Sequence, residues 1–328
     1  MMQAVKNIFN IPELRNRVLF TFALLGVYRI GSHIPTPGVD ANALKAMFDR
    51  SGGSILGFVD MFSGGNFSRL TIFALGIMPY ITASIILQLL TVVWPYLENL
   101  SKEGEAGRKK ITQYTRYGTV LLSLIQSFGI AMWLESSNAG GFGLVVPNPG
   151  WAFRFMTVIT LTTGTAFIMW LGEQISERGI GNGISLIIYA GIVVGFPGAV
   201  VGTIQDLKTG SLGPIQVILL VVLMVAVVAA IVLVERAQRK IPIQYARRVV
   251  GRRVYGGAST YLPLSVNTAV VIPVIFASSM LAIPQTISTV QALQDVGWLQ
   301  NILRQLEYSA PFYNLLYFAM IIFFCFFY

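Results

Sequence analysis

Eight runs of apolar residues, each close to the length that crosses a lipid bilayer, leave few folds open to this chain. They lie at about Val18–Ile34, Leu70–Val93, Tyr117–Leu134, Phe153–Leu171, Ile184–Val201, Ile215–Val234, Ala269–Ile283 and Phe312–Tyr328. A hydrocarbon core about 30 Å thick takes roughly 20 helical residues. Within it, backbone N–H and C=O groups must be satisfied by the protein itself, which a helix does within one segment. The pattern therefore predicts an all-α polytopic membrane protein. Charge content agrees: 11% of the 328 residues are charged, against about a quarter in soluble domains. Lys6, Arg15 and Arg17 precede a first run that lacks a small-residue cleavage site, so no removed signal peptide is expected.

Basic residues set the expected orientation. With the N-terminus in the cytoplasm, sixteen of the 23 Lys and Arg residues fall on the cytoplasmic side. Lys45, Arg50, Arg69, Arg154, Lys208 and Arg304 fall outside, and Arg29 stays in the first run, one turn from its end. This asymmetry satisfies the positive-inside rule, and Arg29 is placed to snorkel to the outer interface. The sixth run, IQVILLVVLMVAVVAAIVLV, is uniformly apolar and reads as lipid-facing. In the fifth, Gly191, Gly195, Pro197 and Gly198 allow close packing or bending. Gln88, Gln126 and Asn267 place amides where hydrocarbon is expected. Each either bonds a neighbouring helix or contributes to a wettable seam. The last run ends in IIFFCFFY without a polar stop. Either the chain is part of a longer protein, or its closing aromatics sit at an interface.

Residues 55–93 are built differently from a plain anchor. A short apolar patch, Ile55 to Phe62, is followed by the turn residues Ser63-Gly64-Gly65-Asn66. The run Leu70–Val93 then carries Gly76 and Pro79, with Thr82, Ser84 and Gln88 beyond them. Non-helical backbone at membrane depth survives only where protein or a water-filled cavity shelters it. Two readings stand: a re-entrant element packed into a helix bundle, or a movable stopper joined to a pore-lining helix.

Catalytic chemistry has little to stand on. One histidine (His33) and one cysteine (Cys325) supply no nucleophile–base pair, disulfide framework or multi-cysteine metal site. The run Gly179–Gly183 superficially resembles a dinucleotide loop but follows an apolar span instead of a strand. Glu173 and Glu177, beside Arg178, read as a solvated, ion-paired helix end. No enzymatic activity, cofactor or metal is expected. A small-solute secondary transporter is the alternative, motivated by the Pro- and Gly-broken spans; the dearth of intramembrane charge argues against it. Residues 235–263, ERAQRKIPIQYARRVVGRRVYGGASTYLP, exceed what joining two helices requires. Arg236, Arg239, Lys240, Arg247, Arg248, Arg252 and Arg253 alternate there with Ile, Val and Tyr. Ile241–Tyr245 reads as an exposed strand and Gly256-Gly257 as a turn. Such a surface suits anionic lipid, RNA phosphates or an acidic protein.

MFSGGNFSRLTIFALGIMPYITASIILQLLTVV, EGEAGRKKITQYTRYGT, TGTAFIMWLGEQISERGIGNGISLIIYAGI, ERAQRKIPIQYARRVVGRRVYGG and VIPVIFASS resemble, in order, the SecY family of channel subunits of the bacterial Sec translocon. The resemblance implies a clamshell helix bundle of two pseudo-symmetric halves. Here residues 1–201 would form the first half with spans one to five, and residues 202–328 part of the second with spans six to eight. The family's following large cytoplasmic loop and last two spans have no counterpart in the sequence. Residues 55–65 would be the plug, with Ile55, Leu56, Phe58, Val59, Asp60, Met61, Phe62, Gly64 and Gly65, and the Ser63-Gly64-Gly65-Asn66 break would be its hinge. Ile77, Ile81, Ile188, Ile272 and Ile275 would form a pore ring, stiff and without polar atoms. Thr82, Gln88, Gln126 and Asn267 would lie at a lateral gate between spans two and three and spans seven and eight. The implied partners are SecE, SecG, the SecA ATPase, the ribosome, signal peptides with unfolded secretory chains, and membrane lipids. The basic loop would meet ribosome or SecA, in the bacterial cytoplasmic membrane.

Overall fold

The computed structural model describes residues 11–50, 60, 63–137, 145–243, 248–250, 253–255, 260–265, 273–274, 276–278, 280–281, 305 and 310–327. Two compact units emerge, one from residues Met1–Ala199 with Phe276–Tyr317, the other from Val200–Ile275 with Phe318–Tyr328. In chain order the helices are α1 (Pro12–Gly31), α2 (Ala41–Arg50), α3 (Met78–Val93), α4 (Pro95–Lys102), α5 (Glu105–Ser137), α6 (Trp151–Arg178), α7 (Gly183–Thr209), α8 (Pro214–Arg236) and α9 (Pro311–Phe327). Strands β1 (Gln238–Ile243), β2 (Arg248–Val250), β3 (Arg253–Tyr255) and β4 (Thr260–Ser265) lie between α8 and α9.

Among the described residues, α5, α6, α7 and α8 are long and apolar enough to cross a membrane, and α3 with α4 makes a fifth candidate bent by 97°. The chain is a multi-pass membrane protein. The eight expected spans are thus only partly reproduced. α1 carries Glu13, Arg15, Arg17 and Arg29 and is not among the candidates, α9 is apolar but shorter, and most of 269–283 lies outside the described residues. The run Leu70–Val93 is not one helix. Residues 66–77 form consecutive turns, and α3 begins only at Met78. Pro79 therefore opens a helix and does not kink one: in the first turn its missing N–H costs nothing. Residues 105–116, which precede the apolar run at Tyr117, are the first turns of the 33-residue α5. At 1.5 Å per residue α5 is about 50 Å long, so its charged start projects well beyond a ~30 Å hydrocarbon core.

The core of the first unit gathers around the turn segment. Leu44 of α2, Phe67, Leu70, Ala74 and Leu75 pack with Ala131 and Leu134 of α5, Val145, Val146, and Phe153 and Leu161 of α6. Helices α5 and α6 are stapled to each other by two ion pairs, each joining the first half of one helix to the last turns of the other. Glu173 accepts both Arg116 Nε (2.8 Å) and Nη2 (2.7 Å). Glu135 accepts Arg154 Nε and Nη2 and the Gly150 N–H, with the Arg154 guanidinium 5.1 Å from the Trp151 ring centroid. Glu173 thus reaches across to another helix and does not rest on its neighbour Arg178.

In the second unit, α8 buries none of its residues, as its all-round apolar sequence requires of a helix meant for lipid. After it the chain forms a nested antiparallel ribbon. β1 pairs with β4 (Gln238↔Ser265 through Ile243↔Thr260), and β2 pairs with β3 inside that bracket (Arg248↔Tyr255, Val250↔Arg253).

Candidate functional site

Residues 63–77 hold irregular backbone in the protein interior, and many of its peptide groups are bonded to other segments or within the turns. Leu70 C=O accepts Thr36 N–H (2.8 Å) and Ile72 N–H donates to Ile34 C=O (3.0 Å), so the segment pairs with the strand-like residues 34–36. Thr71 N–H donates to Asn66 C=O, Ala74 N–H to Thr71 C=O, and Phe73 N–H to Thr71 Oγ1. Two glycines let neighbouring helices come this close. A Cβ on Gly164 of α6 would stand 1.9 Å from Ile72 O, and one on Gly31 of α1 would stand 2.2 Å from the Phe73 ring. Phe73 is stacked between Tyr28 (5.6 Å) and Phe167 (6.1 Å).

The preceding turn is docked differently. Gly64 and Gly65 have φ of +73° and +79°, values that L side chains rarely adopt. Asp60 Oδ1 accepts the Ser68 N–H (2.8 Å), Gly65 N–H donates to Asp60 C=O (2.9 Å), and Phe67 N–H donates to Ser63 Oγ (3.2 Å). Asp60 is therefore an organiser of the turn. Gly64 lies against α7, where its added Cβ would be 2.7 Å from Gly191 Cα. Ile188 precedes Gly191 by three residues and so shares that side of α7.

Of the expected ring residues, Ile77 is buried immediately before α3, and Ile81 is buried one turn later, its N–H donating to Ile77 C=O (3.1 Å). Ile188 is half-buried. Ile272 and Ile275 lie outside the described residues, as do Ile55, Leu56, Phe58, Val59, Met61 and Phe62. Among the gate residues, Thr82 is buried and its hydroxyl donates to Met78 C=O (3.0 Å). Gln88 is exposed, with Nε2 donating to Ser84 Oγ (3.2 Å), Gln126 is half-buried, and Asn267 is not described. In the basic ribbon Arg236, Arg239 and Lys240 are exposed, while Arg248 and Arg253 occupy strands. Arg247, Arg252 and Gly256-Gly257 lie outside the described residues. Of the expected strand Ile241–Tyr245, residues 241–243 fall in the described exposed strand Gln238–Ile243, and Gln244 and Tyr245 lie outside the described residues.

Sequence reasoning passed over Tyr28, Gly31 and Gly164, which touch the irregular segment, and Phe73 within it. A glycine inside an apolar helix was the available signal for Gly31 and Gly164, since such glycines commonly mark close approach. Gly191 was legible on that ground. Gly195 and Gly198, singled out with it, face open space.

A family model described as SecY matches residues 71–328. The chain is 54% identical over 317 residues to the protein translocase subunit SecY of Buchnera aphidicola subsp. Acyrthosiphon kondoi, covering 96% of this chain and 88% of that one. It is 54% identical over 317 residues to the protein of the same description from Escherichia coli strain K12, covering 96% of this chain and 71% of the relative. Among solved structures, one described as a protein conducting channel superposes with a TM-score of 0.59 at 20% identity, over 88% of this chain and 63% of that one. Another, from work describing the SecY plug domain as stabilising the closed state and maintaining a membrane seal, gives 0.55 at 23% identity, over 88% and 63%. The chain thus spans less than two thirds of either solved channel, and these likenesses establish a shared fold. The family match over most of the sequence, together with the close identity to both relatives, shows that the chain belongs to the SecY family of protein translocase subunits.

Proposed function

We propose that this chain builds the protein-conducting pore of a Sec translocon, passing unfolded secretory polypeptides across the cytoplasmic membrane and releasing apolar segments sideways into lipid. The observation that carries this reading is the pairing of two unlike pieces of irregular backbone. Residues 66–77 are clamped by α1 and α6, while the glycine turn before them leans on α7 beside Ile188. A rigid frame next to a separately docked turn is what a channel with a removable stopper needs, and a simple anchor needs neither. In this reading residues 55–65 are the plug, and Ile77, Ile81, Ile188, Ile272 and Ile275 form an apolar gasket that closes on a passing chain. Thr82, Gln88, Gln126 and Asn267 line the lateral exit.

Residues 1–201 and 202–328 belong to the two halves that part during opening, with the N-terminus in the cytoplasm. The basic segment with Arg236, Arg239, Lys240, Arg247, Arg248, Arg252 and Arg253 receives the ribosome or SecA, and SecE and SecG pack against the halves. The chain makes and breaks no bonds; its partners or the proton-motive force supply the energy. A small-solute transporter is not favoured.

Cysteine placed at Ile81 or Ile275 tests the proposal. A translocating polypeptide carrying a crosslinker is expected to join both positions during transit and neither at rest. Absence of both crosslinks during efficient translocation would remove the pore assignment.

A further inference from the structure

Three buried polar groups meet at the junction of frame and turn. Tyr28, Ser63 and Asn66 are 4%, 4% and 1% exposed. Asn66 Nδ2 donates to Tyr28 Oη (3.1 Å) and to the Ser63 carbonyl (2.5 Å), and Tyr28 Oη donates to the same carbonyl (3.4 Å). Asp60, Ser63 and Gly65 also bond within the turn itself, whereas Tyr28 ties the turn to another helix. The tyrosine ring is held from behind. It stacks on Phe73, which Gly31 and the pairing with residues 34–36 keep in place. The phenol is thus a fixed arm, and the Ser63 carbonyl at the root of the glycine turn is what it grips.

We propose that Tyr28 and Asn66 form a latch on the Ser63 carbonyl, which sets how readily the plug leaves its docked position and so how strong an opening stimulus the channel requires. The proposal rests on reading residues 55–65 as the plug. When Ser63 moves, its carbonyl loses two donors in a buried site, and a buried group deprived of its partner is expensive until it finds another. That loss favours the docked form. The latch is still weak, because two neutral hydrogen bonds contribute modestly, so an incoming signal segment can release it by binding the displaced form better. Tyr28 and Asn66 act through the turn and touch no substrate; they are positioning residues.

The test uses the intact channel complex reconstituted in vesicles, with Tyr28→Phe, Asn66→Leu and the double variant. Tyr28→Phe keeps the ring on Phe73 and removes only the hydroxyl; Asn66→Leu keeps the side-chain size and removes the donor. Each single change is expected to raise resting ion flux by about two- to tenfold. The double change should do more than the product of the two, since each single change leaves the carbonyl one donor and only the double leaves it none. The ratio of transport of a substrate with a defective signal to one with an intact signal should rise alongside, because a less stable docked form needs less from its opener. A merely structural lesion would lower both substrates together and leave the ratio unmoved, and that result overturns the latch. Unchanged flux and ratio in both single variants overturns it as well. Deleting residues 55–62 separates the underlying reading. If that deletion raises flux while the latch variants do not, the plug stands and the latch falls; if the deletion leaves flux unchanged, both fall.

Discussion

Alanine at Gly64, compared with alanine at Gly65, isolates the contact that docks the turn on α7. Both glycines have left-handed backbone, φ +73° and +79°, and an alanine there costs about 1 kcal/mol. At Gly65 that is the whole cost, for an added Cβ finds no atom within 4 Å. At Gly64 the new Cβ would stand 2.7 Å from Gly191 Cα, 3.1 Å from its oxygen and 3.2 Å from its carbonyl carbon. These are backbone atoms, which cannot rotate aside. Carbon pairs settle at about 3.5–4.0 Å, so turn and helix must part by about 1 Å, at an overpacking cost of roughly 1–3 kcal/mol. Gly64→Ala therefore disfavours the docked turn by roughly 2–4 kcal/mol and Gly65→Ala by about 1 kcal/mol.

With tenfold in an equilibrium for every 1.4 kcal/mol or so, Gly64→Ala is expected to raise the displaced population about thirtyfold or more, and Gly65→Ala about fivefold. The assay is resting ion flux through the reconstituted channel complex, with its thermal denaturation followed in parallel. Equal increases for the two variants would show that the Gly64–Gly191 approach does not hold the resting turn. A fall in denaturation temperature for Gly64→Ala without added flux would show that the contact serves folding and not gating. Either result refutes the reasoning.

Gly164→Ala is expected to cost about 3 kcal/mol or more, since its Cβ would fall 1.9 Å from Ile72 O, and to lower the amount of assembled channel in the membrane. Gly129→Ala, with no atom within 4 Å of the added Cβ, should be neutral or stabilising by up to about 1 kcal/mol in the same immunoblot and thermal assays. Arg116→Ala and Glu173→Ala should show a coupling of about 1 kcal/mol in a double-mutant cycle on thermal stability, reduced by added salt, because the pair is two-pronged but its arginine is half exposed. Leu70 has φ +41° yet is buried, so Leu70→Gly, which relieves the backbone, should be no less stable than Leu70→Ala, which keeps the strain and loses the same packing. Thermal denaturation in detergent ranks the two.

Much of the architecture was legible because bilayer physics acts on single segments. A uniformly apolar α8 was expected to face lipid, and it packs none of its residues into the interior of this chain. The Ser63–Asn66 break was legible for a similar reason: two adjacent glycines announce a backbone that other residues cannot follow, and both have positive φ. Hydropathy failed where length is not depth. Leu70–Ile77 is a mostly apolar run, but it is pinned out of a helix by bonds from Leu70 C=O and Ile72 N–H to Thr36 and Ile34, residues over thirty positions away, and no local pattern records such a pairing. Residues 105–116 failed in the opposite sense. Their charges suggested a loop, yet Glu, Ala, Arg and Lys are good helix formers, and Gly104 (φ +76°) with Glu103 suffices for the connection to α4.

The same contrast explains why the tyrosine went unnoticed and why it matters. A lone tyrosine near the end of an apolar run, beside Arg29, reads as an ordinary interfacial aromatic. Its position in the fold is the reverse: ring and hydroxyl are both buried, and the hydroxyl is the donor that reaches from α1 to the root of the glycine turn. Irregular backbone inside a membrane protein must be bonded to something, and whatever it is bonded to sets the cost of moving it. For residues 66–77 the partners are main chain on two sides, with backbone too close at Gly164 to yield, so this segment is frame. For residues 63–65 the ties beyond the turn are one phenol, the Asn66 amide, the Phe67 N–H on Ser63 Oγ, the Ser68 hydroxyl on the Gly65 carbonyl and a glycine contact, each of them individually weak. The boundary between what stays and what can move therefore falls at Asn66, whose amide holds Ser63 on one side while its carbonyl accepts Thr71 N–H on the other.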